Sequence, residues 1–185
     1  MFLTSHPDLV ICENFISHDE ETQLMQNIIE YGSGYVCNEK YGRENILRFG
    51  KFKPTIQNVI STTIPSFVSL LSKRLIEQNL ISFQPEAISI NEYLPLQGIE
   101  PHVDSKSSGE VITILSLGSH TVMDFIHNKK KSFSILFPAR CVLQIKNELR
   151  HEWQHSIQPR SYDVINGERF ERKKRYSIVF RQALI

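Results

Sequence analysis

The feature that most constrains this chain is a change of period near Glu86. From there the apolar residues fall into short runs of β type. They are Ala87–Tyr93, Val111–Leu117, His120–Phe125, Ser132–Phe137, Cys141–Lys146 and Arg175–Arg181. Pro95, Gly98, Gly109, Gly118, Asn128, Pro138, Asn147 and Gly167 punctuate them. Many short strands at this spacing predict a β-sandwich or barrel of the jelly-roll kind. Upstream, Ser17-His-Asp-Glu20 has the form of a capping box. Leu24, Met25, Ile28 and Ile29 then follow helical spacing, which Gly32 and Gly34 end. A second helix is expected from Pro65 to Asn79, with a stripe of Phe67, Leu70, Leu71, Leu75 and Ile76. The fold class expected is mainly β with an α layer (α+β), its N-terminal helices packed on one sheet of a jelly-roll core.

The 185 residues are 41% hydrophobic and 22% charged, a globular balance. They suit one domain over 1–185, with about 1–85 as helical layer and lid and about 86–185 as jelly-roll core. A net charge of +1 excludes a strongly basic nucleic-acid coat protein but leaves room for a local basic groove. Three widely spaced cysteines give no CxxC zinc site and no disulfide framework. No apolar run approaches the ~18 residues of a membrane span. The first fifteen residues lack the basic start of a signal peptide. The expected setting is the cytoplasm, with entry to the nucleus left open, no membrane, and a monomer.

Two clusters carry candidate chemistry. In Pro101-His102-Val103-Asp104, an extended backbone puts His102 and Asp104 on one face. That is two-thirds of the 2-His-1-carboxylate set that holds non-haem Fe(II) and leaves positions open. His151 and His155 flank the only Trp and both stand as candidates for the third ligand. His6, His18, His120 and His127 are expected nearer to solvent. On Arg175–Arg181, residues 175, 177, 179 and 181 share one face, while Tyr176, Ile178 and Phe180 form an apolar one. The first face lines up two guanidiniums, the preferred forked partners of carboxylates such as those of 2-oxoglutarate.

The ordered set Asn91-Glu-Tyr93, His102-Val-Asp104, His155 and Arg175-x-Ser177-x-x-x-Arg181 resembles the AlkB family of Fe(II)- and 2-oxoglutarate-dependent dioxygenases. Leu115–Gly118, Val122–Phe125 and Trp153–Ile157 resemble the branch that contains the tRNA wobble-uridine hydroxylase domain. The resemblance runs from about residue 8 to residue 181. It implies Fe(II), 2-oxoglutarate as co-substrate, and O2. It implies His102, Asp104 and His155 as catalytic metal ligands, and selects His155 over His151. It implies Asn91, Tyr93, Arg175, Ser177 and Arg181 around the 2-oxo acid, with Arg175 on its distal carboxylate. Many family members have Asn where Ser177 stands and Thr where Val179 stands. Base-repair members often carry an Asp where Lys106 stands, which weighs against direct repair of methylated DNA.

The segment from Val36 to Pro54 reads as an exposed loop or hairpin, or as a lid. Within it, Tyr41, Arg43, Arg48 and Phe49 are suited to gripping an unpaired base, with Lys106 beside them. Lys129–Lys131 and Arg169, Arg172, Lys173 and Lys174 are local basic clusters that could meet phosphates. The expected substrate is a modified or alkylated base in RNA, above all tRNA, which would be hydroxylated or demethylated. The alternatives are protein or alkylated DNA as substrate, and, from another class, an inactive jelly-roll binding module. A protein partner could supply RNA affinity.

Overall fold

A computed structural model describes residues 6–32, 46–56, 59–128 and 131–184. The elements, in chain order, are β1 (Leu9–Cys12), α1 (His18–Gly32), β2 (Ile46–Gly50), β3 (Val59–Ser61) and α2 (Ser66–Glu77). Then come β4 (Ala87–Tyr93), β5 (Ile99–His102), β6 (Ile112–Leu117), β7 (Thr121–His127) and β8 (Lys131–Phe137). β9 (Val142–Ile145), α3 (Asn147–His151), β10 (Gln154–Ile157), β11 (Tyr162–Ile165), β12 (Glu168–Glu171) and β13 (Arg175–Arg181) complete the chain. A seven-stranded sheet has the order β1-β9-β6-β13-β4-β2-β3, and a four-stranded one the order β5-β10-β7-β8. Neighbouring strands are antiparallel except β2 and β3. β11 and β12 form a separate hairpin.

α1 and α2 cover one face of the large sheet. The capping box at α1 forms as expected: the Ser17 N–H donates to Glu20 at 2.8 Å, and the Glu20 N–H donates to Ser17 Oγ at 3.2 Å. Arg74 of α2 reaches back to Glu20 and ties the helices together, which holds the Glu20 carboxyl down at about 2. Leu24 and Ile28 of α1 and Val68, Leu71 and Leu75 of α2 bury against Ile88, Ile90, Leu115, Leu117, Tyr176, Ile178 and Phe180. Helical spacing placed two residues wrongly. Leu70 is 68% and Ile29 55% exposed, because the buried stripes run through Val68–Leu71–Leu75 and Leu24–Ile28. A second core lies between the sheets. Ile112, Met123, Phe125, Phe137, Leu143 and Leu149 belong to it.

Two further expectations need correction. The first 85 residues are not only a helical layer, since β1, β2 and β3 all join the large sheet. The stretch read as a loop or lid contains β2, which pairs with β4 from Ile46↔Asn91 to Gly50↔Ala87. Short strands at a sheet edge take their pairing from distant partners, so local period is a weak guide there. The remaining histidines are also less exposed than expected. His6 stacks on Phe133 and meets Trp153, His127 stacks on Trp153, and His120 lies 3.4 Å from Asp163. His18 alone of these keeps a largely exposed side chain.

Asp163 is the anchor of the β11–β12 hairpin. It is fully buried and accepts two hydrogen bonds from Arg172, at 2.7 and 2.8 Å, while Arg160 stands 2.9 Å away. Burial by itself would raise the carboxyl, and the hydrogen bonds and charge of Arg172 more than offset it, so its pKa is lowered. Asp163→Asn leaves Arg172 buried without its counter-charge, and about 3–5 kcal/mol of stability should be lost. The folded carboxyl titrates below the unfolded one, near pH 4. Its contribution is therefore complete above pH ~4 and disappears as pH falls through the folded value. Urea melts of both proteins against pH check this: the difference between them should shrink only in acid.

Candidate active site

The cavity between the two sheets has a volume of about 620 Å³. Its floor is the non-helical face of the large sheet. β4 contributes Ala87, Ser89, Asn91 and Tyr93, and β13 contributes Arg175, Ser177, Val179 and Arg181. The small sheet closes the other side with Ile99 and His102 of β5, Met123 of β7, and His155 and Ile157 of β10. Strict alternation sorts these residues, since neighbours two apart share a face. The same alternation makes the opposite face of β13 the buried floor of the helices.

The three ligand candidates meet through register. β5 and β10 pair with His102 directly opposite His155, and their ring centroids are 4.4 Å apart. Asp104 lies two residues beyond the end of β5, with Oδ2 3.6 Å from His155 Nε2. One nitrogen or oxygen from each of His102, Asp104 and His155 falls within 4.8 Å of the others. His102 Nδ1 is bonded to the Glu100 carbonyl at 2.8 Å, which fixes its ring and leaves Nε2 for another partner. His155 is buried and its pKa is pushed down to about 4 by that burial, so its ring is neutral at pH 7. Burial pushes Asp104 upward, but the charge of Arg181, with that of Arg150, acts against it; its pKa is lowered and the carboxyl is ionised at pH 7. Two imidazoles and a carboxylate are the donor set that a divalent first-row metal takes. His151, the other candidate, instead bonds Glu110 at 2.9 Å near the surface.

Along the same face stands Arg175, which is 3% exposed. Its Nε donates to Ser116 Oγ at 2.9 Å. Nη1 and Nη2 are buried and have no hydrogen-bond partner among the described residues, while the guanidinium lies 5.3 Å from the ring centroids of Tyr93 and Phe137. Burial lowers its pKa to about 10, which keeps it charged at neutral pH. A buried fork with two unsatisfied donors fits a carboxylate. Asn91 donates to Ser177 Oγ at 3.2 Å, so these two form one polar step on the floor. Arg181 donates to Ser89 Oγ at 2.9 Å and lies 3.6 Å from Asp104 Oδ1.

The sequence profile of the 2OG-Fe(II) oxygenase superfamily matches residues 8–181. The chain belongs to this superfamily. An uncharacterised protein of Acanthamoeba polyphaga mimivirus is 35% identical over 94% of this chain and 84% of its own length. The tRNA (carboxymethyluridine(34)-5-O)-methyltransferase alkbh8 of Xenopus tropicalis is 32% identical over 86% of the chain. The chain spans only 26% of that relative's length. Among solved structures, OsALKBH1 superposes with a TM-score of 0.72 at 16% identity, over 97% of this chain and 100% of that one. The chain has the jelly-roll core of OsALKBH1. It is a dioxygenase that uses Fe(II), 2-oxoglutarate and O2, and its His-Asp-His cluster and the two unsatisfied Nη donors of Arg175 fit such a group.

The expected substrate residues fare unevenly. Tyr41 and Arg43 lie outside the described residues. Arg48 lines the cavity. Phe49 does not: it is 1% exposed and sits in the helix-side core, where Tyr31 meets it edge-on. Once β2 is a strand, Arg48 and Phe49 must point to opposite faces. Phe52 takes the place beside the cavity, with Lys51, Lys53, Thr55 and Ile56. Lys106 is exposed on a 3-10 turn, Lys106–Ser108, whose serines 107 and 108 line the cavity while Lys106 does not. The basic cluster near residue 170 is largely neutralised. Arg172 is buried on Asp163, Arg169 pairs with Glu171 at 2.6 Å, and Lys174 lies 3.5 Å from Glu92. In the other cluster, Lys129 and Lys130 lie outside the described residues.

Ser89, Ser116 and Arg150 escaped sequence reading. Ser89 was within reach, because it alternates with Asn91 on β4. Ser116 and Arg150 act through residues far away in sequence, and no local pattern marks them. Phe49→Ala should cost about 3–5 kcal/mol by emptying a packed core site. Phe52→Ala should cost under about 1 kcal/mol, as most surface changes do. Chemical denaturation of the two variants checks the assignment.

Proposed function

We propose that this oxygenase oxidises a C–H bond of a modified base in RNA, with tRNA the favoured carrier. The observation that carries the reading is the cavity mouth. Arg48, Lys51, Phe52 and Lys53 line the same cavity as His102, Asp104 and His155, with Lys51 also paired to Glu86. Cations there suit the phosphates of a strand, and an aromatic ring suits an unstacked base. The kinship with vertebrate relatives named as tRNA methyltransferases supports RNA over DNA. The mouse protein of that name is 29% identical over 87% of this chain, which spans 26% of it.

In this reading His102, Asp104 and His155 hold Fe(II). Arg175 pairs with the distal carboxylate of 2-oxoglutarate, and Ser116 keeps its fork turned toward that end. Arg181 stands beside the metal-proximal end with Ser177. Asn91 and Tyr93 flank the 2-oxo acid from β4. When bound, Fe(II) with 2-oxoglutarate and O2 supplies the oxidising power that turns substrate C–H into C–OH, with succinate and CO2 as co-products. The protein residues bind, orient and exclude water. Ile114, Met123 and Val179 form the dry wall that keeps bulk water from the reacting carbon.

The test supplies Fe(II) and 2-oxoglutarate anaerobically, admits O2 with total tRNA, and follows succinate and nucleoside masses together. The expected outcome is succinate with a nucleoside that has gained one oxygen atom or lost one methylene unit. Succinate with unchanged nucleosides would overturn the RNA assignment and point to protein or DNA. Arg175→Gln should raise the KM for 2-oxoglutarate roughly 10- to 100-fold, the worth of a charge-assisted hydrogen-bonded pair. Arg48→Ala should lower tRNA-dependent turnover while uncoupled 2-oxoglutarate consumption persists; equal loss of both would remove Arg48 from the substrate side.

A further inference from the structure

Among the three ligand candidates, Asp104 is the one whose backbone no strand holds. His102 closes β5 and His155 lies within β10, so the sheet register fixes both. Asp104 sits in the segment that leaves β5 and crosses to β6. What grips that segment is Arg150 of α3, whose side chain is among the largest fully buried in the protein. Its guanidinium spreads over three main-chain carbonyls of the crossing. Nη1 donates to Asp104 O at 2.9 Å, Nη2 to Ser105 O at 2.6 Å, and Nε to Gly109 O at 3.2 Å.

Burying a guanidinium against neutral carbonyls is costly, and a packed apolar residue would often serve stability as well or better. The use of arginine here is explained by geometry. Three acceptors lying in different directions need a planar fork, which a single ammonium cannot match. Arg150 also lies five residues before His155 on one continuous helix-turn-strand. The same short stretch of chain thus delivers one ligand candidate and grips the backbone of another.

We propose that Arg150 is the positioning residue of the metal centre, clamping the carbonyls of Asp104, Ser105 and Gly109 so that the Asp104 carboxylate faces His155. This rests on the reading of His102, Asp104 and His155 as ligands. It is separable from the co-substrate contacts of Arg175, because Arg150 is not among the residues that line the cavity.

The test titrates Mn(II), in place of Fe(II), into the whole chain and follows free metal by electron paramagnetic resonance. Arg150→Lys and Arg150→Met should each weaken binding about 10- to 100-fold, as loss of a ligand-orienting partner does. Arg150→Lys keeps the charge, so its failure to rescue isolates the fork. Amide exchange across Asp104–Gly109 should quicken in both variants. Leu149→Ala is the control: it removes a fully buried side chain from the same helix. Its urea midpoint should fall while Mn(II) affinity holds. Should Arg150→Met not fold, Gly109→Ala disturbs the clamp from the loop side. Gly109 has φ +83°, and a Cβ there would lie 2.5 Å from Gln182 Oε1. It should weaken Mn(II) in the same way. Wild-type affinity in the arginine variants, or a loss that Leu149→Ala matches, would overturn the positioning role alone. A wild-type chain that takes up no more Mn(II) than His102→Ala would overturn the ligand reading and this role with it.

Discussion

β13 is the strand on which both halves of the molecule depend. It lies between β4 and β6 in the large sheet and pairs with both along nearly its whole length. Its two faces have opposite chemistry. Tyr176, Ile178 and Phe180 close the core beneath the helices, and Arg175, Ser177 and Arg181 face the cavity. A slip of one residue would exchange these faces, placing two guanidiniums in an apolar core. The register that stabilises the helix layer is therefore the register that builds the site. Function and fold cannot drift apart on this strand, because one alternation serves both.

That coupling also explains what could be read from the sequence. Arg175–Arg181 and Ala87–Tyr93 were legible to the residue, because each alternates cleanly and each is buried on both sides. His102 and Asp104 were legible because HxD carries its own geometry. His151 and His155 could not be separated by period, and only the resemblance chose between them. β2 was misread because a short strand next to the sheet edge carries little local signal. Phe49 went to the wrong face as a consequence, since the parity of one residue decides between core and cavity. Arg150 was illegible for a different reason. Its partners are carbonyls more than forty positions away, and a main-chain acceptor leaves no mark in a sequence. The deep site uses residue types with special chemistry, so it announces itself. The mouth uses Lys, Phe and Thr, which any surface also uses.

The balance of charge in the interior adds a last constraint. Arg150, Arg175 and Arg181 are all turned inward, and Asp104 is the carboxylate set among them, with Arg181 3.6 Å away. Asp104 is held ionised although it is buried, and the arginines are part of the cause. Arg175 and Arg181 line the cavity with Asp104, while Arg150 lies behind it, so a further cation binds less tightly there unless anions enter with it. Fe(II) brings two positive charges and 2-oxoglutarate two negative ones, so the pair is admitted together at far lower electrostatic cost than the metal alone. In the proposed reading Arg175 then has a task besides recognition. By drawing in a dianion it offsets the field that would otherwise weaken the metal at His102, Asp104 and His155. The low dielectric that makes an unpaired guanidinium expensive makes the same guanidinium a strong partner once a carboxylate arrives. The unsatisfied fork at the base of the cavity and the anionic triad at its other end are thus two parts of one electrostatic design.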